Sequence, residues 1–140
     1  MVSDQESFNQ VEKVLEDRLN EIADFIFSKS QENIVSKKCI DEGTLLKSGN
    51  VVRGKNEVSI VYTAPHAKPV EFGTDPHMPP VEPIVGWCKR KLSLNDKDAK
   101  SVAWAIAKSI EKNGSEPKFF MRDAINLAKS KYSGVLYGFE

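Results

Sequence analysis

From the start of the chain, apolar residues recur at Phe8, Val11, Leu15, Leu19, Ile22 and Ile26, three or four positions apart. That spacing places them on one face of a helix. Ser3 and Glu6 precede the run with the separation of a capping box, so the helix starts there and is expected to end between Lys29 and Ile34. Its other face carries Glu12, Lys13, Glu16, Asp17 and Glu21, which suits either solvent or contact with another subunit. Asp41-Glu42-Gly43 interrupts the pattern, and Thr44–Ser48 is long enough only for a helical turn before Gly49.

The period then shortens to two. Residues Asn50 to Arg53 read as a strand, Gly54-Lys55-Asn56 as a turn, and Val58, Ile60 and Tyr62 alternate with Ser59, Val61 and Thr63 in a half-buried return strand. After the stretch from Ala64 to Pro69, the triplet Val70-Glu71-Phe72 is expected to add a third strand at the sheet edge, where proline is tolerated. Helical spacing returns with Ile84, Val85, Trp87, Cys88 and Leu92, and Lys89, Arg90 and Lys91 complement the dipole at the end of that helix. Asn95 or Asp96 can cap the next, whose stripe is Val102, Ala103, Ile106 and Ile110 and which Asn113-Gly114 ends with a left-handed residue. Pro117 suits the first position of a last helix with Phe120, Ala124, Leu127 and Ala128 on its apolar face. The resulting fold class is α+β: a long N-terminal helix packed on a small antiparallel sheet, with two to three further helices in the C-terminal half.

Between the sheet and those helices lies a segment that neither period explains. Gly73-Thr74 opens the loop Asp75-Pro76-His77-Met78-Pro79-Pro80, and a fourth proline follows at Pro83. Proline fixes φ and biases its predecessor toward extended geometry, so residues 74–83 are expected to hold one shape and to lose little entropy on docking. Besides connecting two elements, such a loop is a candidate contact surface, with Phe72, Gly73, Thr74, His77, Met78, Pro79 and Pro80 as its residues. The segment after the last helix, 132–140, is unusually apolar for a terminus, and Leu136, Tyr137 and Phe139 need cover. Packing on their own domain and insertion against a neighbouring subunit both provide it.

Composition narrows the reading. A chain of 140 residues with 40% hydrophobic and 29% charged residues suits a single globular domain over 1–140. Its 20 basic and 20 acidic residues cancel, and only Arg18, Arg53, Arg90 and Arg122 offer bidentate donors, which argues against a dedicated DNA reader. Cys39 and Cys88 form no metal-type cluster and read as free buried thiols in a reducing compartment. No apolar signal region or membrane-length run occurs, so membrane partners are not expected.

Candidate chemistry is sparse. Cys88 or Ser48 could pair with His66 or His77, but no local elbow supports it. His66, His77 and Glu71 would be the residues of a small hydrolase or nuclease, the rival to a non-catalytic reading. Their spacing, with Asp75 nearby, matches no helical or finger-type metal site, and His77 reads better as a hydrogen-bond post or a contact residue at the loop tip. No phosphate-cradling glycine loop appears, and no cofactor is expected. Trp87 with Lys89, Arg90 and Lys91 is the remaining nucleic-acid candidate.

Three separated blocks resemble the tail-completion, or minor tail-component, proteins of long-tailed double-stranded DNA phages, which sit in the neck between head and tail. The family pattern Asp-Thr-Gly-x-Leu-x-x-Ser appears as Asp41-Glu42-Gly43-Thr44-Leu45-Leu46-Lys47-Ser48, with Glu42 in place of threonine. The block Tyr-Ala-x-x-Val-Glu-Phe-Gly-Thr, followed by Pro-His-x-Pro-Pro and a tryptophan helix, appears as His66-Ala67-Lys68-Pro69-Val70-Glu71-Phe72-Gly73-Thr74, then Pro76 to Pro80 and Trp87, with His66 in place of tyrosine. An Ile-x-x-x-Gly-x-x-Pro-x-x-Phe-x-x-x-Ala element appears as Ile110, Gly114, Pro117, Phe120 and Ala124. Order and spacing agree over about Asp41 to Ala124. The resemblance implies a structural virion or prophage protein without catalysis, made in the host cytoplasm. It would complete the tail and join it to the head as a self-assembled ring, hexamer favoured, around the DNA channel. Its partners would be the head-closure or connector protein and the tail tube or tail terminator protein, with DNA only passing through. A near-zero net charge suits a collar that does not grip DNA, and a ring subunit meets its neighbour through two different patches.

Overall fold

A computed structural model describes residues 3–133, and the expected contact residues Leu136, Tyr137 and Phe139 lie outside that range. Helix α1 (Asp4–Ser36) begins as the pattern requires: Ser3 Oγ accepts the Glu6 N–H at 3.1 Å, and Asp4 and Glu6 face the positive end of the helix dipole. It runs past its expected end because its last turns are built into the core. Ile34 is fully buried, and Asn33 Nδ2 donates to Phe120 O at 3.0 Å. The helix stops where Lys38 takes a φ of 52° and the Lys37 and Cys39 N–H groups close onto Asn33 O and Ile34 O.

A short helix α2 (Glu42–Lys47) leads into the hairpin of β1 (Gly49–Gly54) and β2 (Glu57–Tyr62). The strands pair antiparallel from Gly49↔Tyr62 to Gly54↔Glu57 around the two-residue turn Lys55-Asn56, where Asn56 supplies a φ of 60°. Val58, Ile60 and Tyr62 form the half-buried face, as their alternation predicts. The hairpin packs on α1: Arg53 reaches Asn20 and Asp24 at 2.5 and 2.6 Å, and the Tyr62 hydroxyl meets Ser30 Oγ at 2.6 Å and Gln31 Nε2 at 2.9 Å.

Among the described residues the sheet has these two strands only. Val70-Glu71-Phe72, expected as a third strand, instead closes helix α3 (Ala67–Phe72). Three residues are too few for a period of two to be distinguished from a helical turn. Pro69 sits in the first turn, where an N–H has no partner within the helix, so it is accommodated.

Three longer helices follow: α4 (Glu82–Lys91), α5 (Asp96–Asn113) and α6 (Phe120–Lys131). Pro83 lies in the first turn of α4, and Asn95 caps α5 by accepting the Asp98 N–H at 2.8 Å. Ile84, Val85 and Cys88 of α4 pack on Ala99, Ala103 and Ala107 of α5, with Val102, Ile106 and Ile110 partly buried at the margin. Helix α6 starts three residues after Pro117, because Pro117 is held against Gly73 and Phe119 turns with a φ of 51°. It runs antiparallel to α1, with Phe120 beside Asn33 and Tyr132 packed edge-on against Phe25. Its buried face is Phe120, Ala124, Ala128 and Tyr132, an i,i+4 row, whereas Leu127, expected on that face, is exposed. Long helix, antiparallel hairpin and C-terminal helices together make the α+β fold.

Candidate functional site

Three stretches distant in sequence meet around one cleft of about 530 Å³. Asp41 and Thr44 come from the N-cap and first turn of α2, and His66, Pro69 and Val70 from the N-cap and body of α3. Thr74, His77, Pro79 and Pro80 of the loop also line the cleft, as do Ile110 from the last turn of α5 and Ser115 and Lys118 from the α5–α6 connection. The walls are mostly apolar, with five prolines among the lining residues at Pro65, Pro69, Pro79, Pro80 and Pro83, so the shape is largely set by backbone.

Two glycines let the loop approach the end of α5. Gly73 has φ 74° and ψ 179°, and Gly114 has φ 76° and ψ −167°, a region that only glycine occupies at low cost. A Cβ on Gly73 would meet Ser115 O, and one on Gly114 would run into Thr74 O. Gly114 therefore ends α5 with a positive φ, as expected, but in an extended rather than helical left-handed form. With both side chains missing, Thr74 and Ser115 exchange N–H···O bonds of 3.0 Å in each direction, and their hydroxyls meet at 2.8 Å. His77 N donates to Ile110 O at 3.3 Å, and His77 Nδ1 lies 2.9 Å from Asp75 O, a contact that requires the proton on Nδ1. The loop is pinned at its start and middle, and His77 holds it as a post.

Glu71 is directed elsewhere. The residue is buried, and its carboxylate accepts the N–H groups of Met121 and Arg122 at 2.8 and 2.9 Å, capping α6 from another element. The α3 carbonyls of Val70 and Glu71 also accept the Lys118 and Phe119 N–H groups. A helix N-terminus lacking its own cap is satisfied by a residue 50 positions away in sequence. Of the three residues grouped for a hydrolase, His66 and His77 share the cleft, while both oxygens of Glu71 serve α6. His66 Nε2 is buried at the cleft without a hydrogen-bond partner among the described residues.

The other candidates are engaged structurally. Lys89 pairs with Asp96 at 2.5 Å, Arg90 with Asp41 at 3.7 Å and Lys91 with Glu42 at 2.8 Å, while Trp87 Nε1 donates to Lys38 O at 3.2 Å. The basic turn thus ties α4 to the α1–α2 connection and the start of α5. Cys39 and Cys88 are free and fully buried, and burial pushes both thiols up, away from the reactive thiolate. Ser48 Oγ donates to Leu45 O at 2.8 Å at the end of α2. Among the described residues no group of three or more His, Cys, Asp or Glu side chains could hold a metal ion, and no helix is long and apolar enough to cross a membrane.

Phe72 and Met78 of the expected contact set remain exposed, at 64% and 40%, on either side of the Thr74–Ser115 bridge in sequence. Gly73 and Thr74 belong to the bridge, and Pro79 and Pro80 to the cleft wall. Sequence reasoning missed the Glu71 cap and the pairing of Gly73 with Gly114. The one signal for the latter was that each glycine precedes a hydroxyl residue and stands near a proline. Comparison with family models, with curated proteins and with solved structures finds no match to this chain.

Proposed function

We propose that the chain is a structural subunit of a phage or prophage neck, completing the tail and joining it to the head as a ring around the DNA channel. The observation that carries this reading is the convergence of the three resemblance-bearing blocks on one cleft: Asp41 and Thr44 from the first, His66, Val70, Thr74, His77 and Pro80 among those from the second, Ile110 and Ser115 from the stretch of the third. Residues that recur in register without a shared chemical role have a physical reason to do so if together they shape one rigid surface. That surface offers a proline-walled apolar recess on a chain that also exposes Phe72 and Met78 from the same segment, features suited to a neighbouring protein. The departure at Glu42 is absorbed by its ion pair with Lys91.

In this reading the loop face binds a different patch on the next copy, as a closed head-to-tail ring requires, and the ring's outer faces receive the head-closure and tail proteins. Sedimentation and electron microscopy of the protein with neck components test it. Rings are expected, Phe72→Asp and Met78→Asp should abolish them while leaving the thermal transition in place, and particles lacking the protein should accumulate as unjoined heads and tails. A protein that stays monomeric and associates with no neck component overturns the reading.

A further inference from the structure

Helix α5 turns a basic row outward. Its buried row, Ala99, Ala103 and Ala107, packs on α4. One residue further on at each step, roughly 100° around the helix, stand Lys100, Trp104 and Lys108, continued by Lys112, and Lys97 lies two turns before Trp104 on the same face. All five are exposed, Trp104 by 50%. We infer that this face binds single-stranded nucleic acid without reading its sequence, the lysines following the phosphates and Trp104 stacking on a base. The inference does not rest on the neck reading and concerns a different surface from the cleft.

Three observations carry it. The first is charge. The chain as a whole balances 20 basic against 20 acidic residues, yet this face is strongly positive. Of the nearby carboxylates, Asp96 is taken by Lys89, and Asp98 belongs to the cap at Asn95. That leaves Glu111, 3.5 Å from Lys108 in a contact between exposed groups that holds little energy. Lys97, Lys100 and Lys112 have no ion-pair partner among the described residues, whereas Lys89, Arg90 and Lys91 of α4 are each paired with a carboxylate.

The second is the aromatic. Trp104 alone among the large apolar side chains of α5 is exposed, with Lys100 and Lys108 one turn away on either side. An indole set between cations matches a strand whose unpaired bases offer π-faces beside its phosphates. A duplex keeps its bases stacked away from such a side chain. A bilayer surface calls for a broad apolar face, where α5 has one indole beside Ser101 and Ala105.

The third is the kind of donor. Lysine meets phosphate as a point charge, whereas base edges are read by the forks of Arg, Asn or Gln, which this face lacks. From Lys97 to Lys112 the row runs roughly 22 Å, a length that suits a site of a few nucleotides. The face also stands apart from the end of α6. The α4–α5 pair is tied to Lys38 and Glu42, past the end of α1, while Tyr132 packs on Ile22 and Phe25. Phe25 lies roughly 16 Å back from Ser36 along α1.

The test titrates a short, labelled oligothymidylate with the full chain at low salt and follows its fluorescence anisotropy. The same titration with oligouridylate distinguishes RNA from DNA, and binding of either with the following dependences supports the inference. Affinity is expected to fall with salt at a log–log slope of about −3 for four lysines, and Lys100→Gln with Lys108→Gln should reduce that slope by about 1.4. Trp104→Ala should weaken binding at least about fivefold. Lys55→Gln in the hairpin turn should change neither quantity, and every substituted side chain is exposed, so the thermal transition should stay in place. No binding at low salt, an affinity unchanged by Trp104→Ala, or a slope unchanged by the lysine pair overturns the inference. So does equal or better competition by a duplex of the same length, by polyglutamate or by phosphatidylglycerol vesicles.

Discussion

The α4–α5 pair and the junction where α1, the hairpin, α3 and α6 meet are both buried cores, yet they are held together by different physics. The pair joins neighbours in sequence through Ile84, Val85 and Cys88 against Ala99, Ala103 and Ala107, small residues at four-residue intervals that let two helices pack closely. The junction joins residues up to 87 positions apart, and its apolar members Ile34, Leu45 and Phe120 are surrounded by buried polar contacts. Tyr62, Ser30 and Gln31 form one such group, and Glu71 with the α6 N–H groups another. Apolar packing tolerates small errors of volume, whereas a buried polar group left without its partner costs the full desolvation of that group. The junction should therefore respond far more sharply to conservative change.

The largest effect is expected at the glycine bridge. Gly73→Ala, at the end of α3, combines a backbone region costly for any side chain with a collision against Ser115 O, and should cost about 4 kcal/mol or prevent folding. Removing a methyl from the other region by Ala103→Gly should cost about 2 kcal/mol. Equal losses in denaturant titrations of the two variants would break the contrast.

The next effect is at Glu71. Glu71→Ala strands two N–H groups of α6 and should cost about 2–3 kcal/mol. Glu71→Gln keeps one acceptor oxygen and should lose about half as much. Hydrogen exchange at Met121 and Arg122 should accelerate in the order wild type, Gln, Ala. An unchanged rate in the Ala variant would mean that α6 is capped by something else.

The smallest effect concerns pH. The hydrogen bond from Lys37 holds the Asp123 carboxyl below its ordinary value near 3.8, with help from Arg122. A depressed folded-state value means that the contribution is fully present above the ordinary carboxylate range and is lost as pH falls through the lower value. Asp123 is substantially exposed, so screening keeps the contribution within about 1 kcal/mol. Lys37→Met should lower the melting temperature slightly at neutral pH and by less in acid, where the carboxyl is protonated in wild type as well. A difference that grows on acidification contradicts the pairing.

The same contrast explains how much was legible in advance. The α4 helix, the Asn95 cap, the Ser3 cap and the alternation of Val58, Ile60 and Tyr62 are local patterns that the structure carries, whereas the row that α5 buries is Ala99, Ala103 and Ala107, with the expected Val102, Ile106 and Ile110 only partly covered. The proline content of the loop was legible, and the cleft it walls was not, because a cavity is a relation between segments. Val70-Glu71-Phe72 was misread as a strand for a related reason. Its conformation is decided by the α6 N-terminus that Glu71 satisfies, a partner invisible to any local window.

By itself the sequence determined the α+β class, the long amphipathic α1, the hairpin and the presence of α4 and α5, since periodicity and end-capping act within a few residues. Only the tertiary structure decided that Glu71 caps a remote helix, that Gly73 and Gly114 face each other, and that the basic turn of α4 is spent on Asp41, Glu42 and Asp96. Those outcomes depend on which buried donors and acceptors meet after the chain has collapsed, and the desolvation of unpaired polar groups selects among arrangements that local propensity leaves equal.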